Sequence, residues 1–130
     1  MASSQQQQDH EIVAKGNKLW EEIFASGQVA QRLGECYLPN AQLTHFGTFA
    51  AVHGPTEIAK FFQTVLHDSV GARNPKLTSH VITRLNETTI YELGKVKAEL
   101  VSGGSLEAPY TVVWQRDEAT GEYKIIYDTF

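Results

Sequence analysis

Between Leu77 and Phe130 the sequence reads as four strands joined by three tight turns, and this run restricts the fold more than any other feature. The strands are Leu77–Leu85, Thr89–Val101, Tyr110–Arg116 and Tyr123–Phe130, and the turns fall at Asn86-Glu87, Gly103-Gly104 and Thr120-Gly121. Runs rich in β-branched and aromatic residues, bounded by Gly, Asn and polar pairs, are the mark of consecutive hairpins. Within the long second strand the apolar residues are odd-numbered at Tyr91 and Leu93, then even-numbered at Val96, Ala98 and Leu100. A period of two cannot change face without an extra residue, so a bulge that bends the strand is expected at Gly94.

The first half of the chain has a different period. Ile12, Val13, Gly16, Leu19, Trp20, Ile23 and Phe24 recur at spacings of three and four, which is one apolar helix face. Asp9 can cap this helix and Gly27 end it. Residues 1–8, rich in Ser and Gln, read as a mobile tail before a single domain over 9–130. A short second helix carries Val29, Leu33, Cys36 and Tyr37 on one side and stops at Pro39-Asn40. Ala41–Gly54 reads as two short strands around Gly47. Pro55 then opens a third helix with the stripe Ile58, Phe61, Phe62, Val65 and Leu66, closed by Gly71. Helices segregated from hairpin-linked strands imply an α+β fold. The strand Tyr110–Arg116 has apolar residues on both sides. A sheet without a solvent face needs cover on both faces, so a homodimer packed through the sheet is expected.

Composition removes several function classes. The 130 residues carry a net charge of −4, and the 11 Lys and Arg form no stripe, which argues against nucleic-acid binding. No apolar run has the length of about 20 residues that spans a bilayer, so no membrane role is expected. A lone cysteine, Cys36, excludes an internal disulfide or a cysteine-cluster metal site, and fits a reducing, cytoplasmic setting. The histidines show no metal-ligand spacing, and no phosphate loop or nucleophile elbow is present, so neither a metal nor a cofactor is expected.

The element order, with LPNAQL before the strands, a glycine opening the third helix, and VVWQRDEATGEYKIIYD at the end, resembles the nuclear-transport-factor-like superfamily. That group includes ketosteroid isomerases, scytalone dehydratase, SnoaL-type cyclases and the association domain of calcium/calmodulin-dependent kinase. The resemblance covers residues 9–130. It implies a cone-shaped, strongly bent antiparallel sheet wrapped around helices, a cystatin-like α+β roll with a pocket inside. Against the isomerases, Ala41–Gly54 aligns without a gap and their general base falls on His45. The dehydratase's catalytic histidine, in a Thr-x-His motif, falls on His80 of Thr78-Ser79-His80. The isomerases' donors fall near Trp20 and Tyr110, and their third-helix tyrosine is Phe62. Neither relative's full catalytic set is present.

The resemblance and the residues together give the candidate site. His45 and His80 are candidate bases, because imidazole titrates near neutrality. Both are expected to point into one cavity. Asp128 is the candidate carboxylate to orient one of them, and Glu92 is a weaker one. Tyr37 or Tyr110 can supply a hydroxyl donor, and Trp20, Phe62, Tyr110 and Trp114 can line a pocket for a planar ligand. The expected role is binding a small hydrophobic or aromatic molecule, with cofactor-free isomerisation, dehydration or cyclisation as the available chemistry. The alternative is a non-catalytic protein-binding or association module. Histidines held by a carboxylate around an open cavity favour the first, and a pocket plugged by aromatics favours the second.

Overall fold

The computed structural model describes residues 2–130. Helix α1 spans Ala2–Ala25, and Val13, Trp20, Ile23 and Phe24 are buried along one face of it. Its backbone starts before Asp9 and takes in residues 2–8, while Met1 lies outside the described residues. Asp9 is therefore no cap. It is a buried carboxylate whose Oδ1 accepts from Arg84 Nη2 at 2.7 Å and Nε at 3.0 Å, tying α1 to the sheet. Gly16 lets the helix backbone rest on Trp114, since a Cβ there would lie 2.4 Å from the indole.

Helix α2, Val29–Arg32, runs into a 3₁₀ turn, Leu33–Cys36. Tyr37 opens strand β1, Tyr37–His45, instead of closing the second helix, and Pro39 and Asn40 lie inside the strand. The ladder is irregular between Tyr37 and Gln42, where a residue without an N–H is tolerated. Strand β2 is Ala50–His53, and helix α3, Pro55–Phe61, continues as a π-helical segment, Phe62–Val70. Strands β3 (Ala72–Asn86), β4 (Thr89–Leu100), β5 (Ser105–Arg116) and β6 (Tyr123–Thr129) complete the chain. No helix among the described residues is long and apolar enough to cross a membrane.

The six strands form one curled sheet in the order β2-β1-β6-β5-β4-β3. The expected wholly antiparallel sheet is corrected at one ladder: β1 and β6 are parallel. Hairpins can only produce antiparallel neighbours, but β1 and β6 are connected through most of the chain and are free of that restriction. The concave face closes over α1 and the π-helical segment. Ile23, Leu33, Leu43, Ile58, Ile90 and Trp114 lie at the centre of the core.

The bulge is not in β4. That strand keeps one register, with Ile90, Glu92, Gly94 and Ala98 buried and Tyr91 and Leu93 facing the other way. The extra residue is on β3: Ser79 pairs with Gly94 and Val81 with Leu93, leaving His80 unpaired. What Gly94 provides is room. A Cβ there would lie 2.5 Å from the Tyr110 hydroxyl and 2.7 Å from the Thr78 carbonyl oxygen. Gly94→Val should displace Tyr110 and destabilise the protein by about 2–4 kcal/mol, from overpacking plus a lost hydrogen bond. Urea denaturation with an unchanged midpoint would reject this account.

Candidate functional site

A cavity of about 270 Å³ lies between α1, the π-helical segment and the concave face of the sheet. Its wall is mostly apolar. Trp20 and Phe24 come from α1, Phe62 and Leu66 from the π-helical segment, and Phe130 from the end of the last strand. Ala72, Ala98 and Ala108 leave the space on the sheet side. The aromatic side chains form a continuous group: Trp20 stacks on Phe24 at 5.2 Å, meets Phe62 edge-on at 5.3 Å, and Phe62 stacks on Phe130 at 5.3 Å. Polar side chains enter the wall at four places among the described residues besides the Trp20 indole N–H: Asn17, His45, Tyr110 and Asp128.

Asp128 is the carboxyl group in the wall. Strand β6 holds it between β1 and β5, where it pairs with Leu43 and Val112. It is 6% exposed. Tyr37 donates to its Oδ2 at 2.6 Å, and Trp20 Nε1 donates to the Tyr37 oxygen at 3.2 Å. No protein donor reaches Oδ1 among the described residues, yet no buried side-chain polar atom lacks a partner, so Oδ1 opens onto the cavity. Burial pushes the Asp128 carboxyl up to about 7; the Glu92 charge adds to this and the Tyr37 hydrogen bond opposes it. Burial and the Asp128 charge hold the Tyr37 phenol well above its ordinary value. The expectation that Asp128 orients a histidine is corrected: its partner is Tyr37.

Glu92 lies behind the wall and is completely buried. Oε2 accepts from Asn17 Nδ2 at 2.9 Å, Ser79 Oγ at 2.5 Å and Tyr110 Oη at 2.6 Å, and Oε1 accepts from Trp114 Nε1 at 3.0 Å. Four donors leave its oxygens acting only as acceptors. This knot ties α1, β3, β4 and β5 together and holds Tyr110 against the cavity. Burial, then Glu92, raises the Tyr110 phenol well above its ordinary value, so this hydroxyl stays protonated.

His45 ends β1 at the cavity wall, between Phe61 and Phe130, with ring centroids at 5.4 and 4.5 Å. Its Nδ1 accepts the Thr48 backbone N–H at 3.3 Å and lies 2.9 Å from the Thr48 hydroxyl, which assigns the ring proton to Nε2. Burial lowers its pKa, so the ring is neutral near pH 7. His80 is exposed at the bulge and is not part of the cavity wall. The expected shared cavity of the two histidines is thus corrected: the bulge gives the inner position to Ser79, one residue away.

Trp20, Phe62 and Tyr110 lie in the wall. Tyr37 stands behind Asp128, and Trp114 is a core residue holding Glu92, so neither is part of the wall. Sequence reasoning missed Asn17 and Ser79 and underrated Glu92. The available signal was complementarity: Asn17 is a polar residue on the apolar face of α1, and Glu92 a polar residue in the inward register of β4.

No protein-family model and no curated relative matches the sequence. Solved structures do. An NTF-2 like protein of unknown function from Shewanella oneidensis MR-1 matches with a TM-score of 0.75 and 14% identity, over 92% of this chain and 96% of that one. An NTF2-like protein with a cystatin-like fold from Novosphingobium aromaticivorans gives 0.72 at 17% identity, over 98% and 84%. A ketosteroid isomerase-like protein from Erwinia carotovora atroseptica gives 0.69 at 12% identity, over 92% of each chain. The chain has the NTF2-like fold, also described as cystatin-like. This is the cone that the sequence resemblance implied, here with the β1–β6 ladder parallel.

Proposed function

We propose that this protein binds a small hydrophobic or aromatic molecule in the cavity and that its available chemistry is cofactor-free proton transfer. The observation carrying this reading is one buried carboxyl, Asp128, opening an oxygen onto a mostly apolar space. The volume, about 270 Å³, is just below the common range for ligand sites, about 300–1,000 Å³. It suits a compound of one or two rings. A carboxyl that titrates near pH 7 can give or take a proton under ordinary conditions, which suits isomerisation, dehydration or cyclisation through an enol. His45 and Tyr110 are further polar residues in the wall that such a compound can meet. His80 has no part in this version.

The test is a thermal-shift and native mass spectrometry screen of hydrophobic compounds against the wild-type protein and Ala108→Trp. The indole would occupy the space that Ala108 leaves. A compound that raises the wild-type melting temperature and loses its effect in the variant is the expected result. A screen without a binder, or binding undiminished in a folded Ala108→Trp protein, would overturn the reading.

The outer sheet face supports an association role in addition. Val81 and Tyr127 are exposed there, and Leu93, Tyr91 and Val113 are half-buried beside them in adjacent register. A second copy packed on this face would bury at least about 1,000 Å² in total if the dimer is stable. Analytical ultracentrifugation at micromolar concentration should show a dimer that Tyr127→Glu dissociates. A wild-type monomer would remove the proposal.

A further inference from the structure

Resting on the ligand-binding reading, we propose a head-group selectivity for the cavity: it takes a hydrophobic molecule bearing an amine, and it rejects one bearing a carboxylate. No Lys or Arg side chain enters the cavity wall among the described residues. The acidic group in the wall is Asp128, and a second buried carboxyl group, Glu92, lies behind it. An anionic head group would meet repulsion and find no cation to offset its loss of water. His45 is the one imidazole in the wall among the described residues, and burial lowers its pKa, which disfavours the cation there.

An ammonium group meets the opposite situation. Asp128 Oδ1 has no protein partner and faces the cavity. Its other oxygen is fixed by Tyr37, so the carboxylate is already oriented for a bound cation. The aromatic group starts next to it, because Trp20 hydrogen-bonds the same Tyr37 and packs on Phe24 and Phe62. Aromatic faces attract cations, most strongly where water is excluded. A primary arylalkylamine combines the three features the site can recognise: a cation for Oδ1, a short flexible link, and a ring for the apolar space.

The pH dependence follows from the groups packed around Asp128. These are Tyr37 from β1, Cys36 from the 3₁₀ turn and Glu92 from β4, with Trp20 of α1 uncharged. The Cys36 thiol, pushed up to about 12 mainly by burial, and the Tyr37 phenol both stay protonated near neutrality. Asp128 gains its charge over this range and His45, the imidazole in the same wall, can only lose one, so both changes favour a bound cation and amine binding should strengthen as pH rises from about 6 to about 8.

The experiment is isothermal titration calorimetry with phenylpropylamine, phenylpropanol and phenylpropanoate, which differ only in the head group. At about pH 8 the amine should bind at least tenfold tighter than the alcohol, and the carboxylate weakest of the three. Asp128→Asn should weaken amine binding at least tenfold and so remove the preference for the amine over the alcohol. Equal or tighter binding of the alcohol or the carboxylate by the wild-type protein would overturn the selectivity and leave the ligand-binding reading standing. Binding of none of the three, together with a hydrophobic screen that also finds nothing, would overturn both.

Discussion

Replacing Glu92 with leucine is expected to leave no folded protein, and replacing it with glutamine to cost about 2–4 kcal/mol. The reason is the number of donors that converge on one side chain. Asn17, Ser79, Tyr110 and Trp114 all donate to it, and Glu92 is wholly buried. Leucine removes the acceptor and strands four donors. Each buried donor without a partner costs about 1–3 kcal/mol, and the sum approaches the total stability of a typical domain, about 5–15 kcal/mol. Glutamine retains the shape and one acceptor oxygen. With that oxygen in the Oε2 position, its NH₂ faces the Trp114 N–H, so one hydrogen bond becomes a donor–donor contact. Urea denaturation monitored by tryptophan fluorescence reads both effects, because Trp114 is one of the partners. A Glu92→Leu protein as stable as wild type would mean that an apolar core serves equally well here, and would end the claim that this knot holds the sheet to α1.

The same residue explains why part of the site was hard to see in the sequence. The helix faces followed from spacings of three and four, and the hairpins from glycine and polar turns, because both patterns are local. The inward register of β4 was not local. It contains Glu92 and Gly94 where apolar residues were sought, while Tyr91 and Leu93 occupy the outer face. Reading by hydrophobicity alone therefore assigned a change of face to a strand that has none. The true bulge, at His80, depends on pairing between two strands, and one residue of slip exchanged His80 for Ser79 at the inner position. Asp128 was legible as a candidate because a carboxylate in a hydrophobic last strand is conspicuous. Its partner was not. The spacing places Tyr37 on the second helix, and only the parallel ladder of β1 with β6 brings it to Asp128.

Asp128→Asn is expected to stabilise the protein at alkaline pH, the reverse of what most substitutions do. The Asp128 carboxyl titrates at about 7 in the folded chain against an ordinary value of 3.8, with burial as the main cause. Between these values the folded state holds a proton that the unfolded state has released. Stability from this group is therefore fully present below about pH 4 and is lost as pH rises through about 7. The shift corresponds to about 4 kcal/mol at its limit, so the gain from removing the charge at pH 8 should be about 2–4 kcal/mol. Near pH 4.5 the acid is already neutral in the folded state, and the difference should fall below about 1 kcal/mol. Asparagine can keep the hydrogen bond, because its amide oxygen accepts from Tyr37 as Oδ2 does. Denaturation midpoints of the two proteins should thus diverge steadily from acid to alkaline pH. Parallel curves would show that Asp128 ionises as readily folded as unfolded. In that case proton transfer at neutral pH would have to be assigned to another group of the cavity wall, and the His45 imidazole is the candidate there.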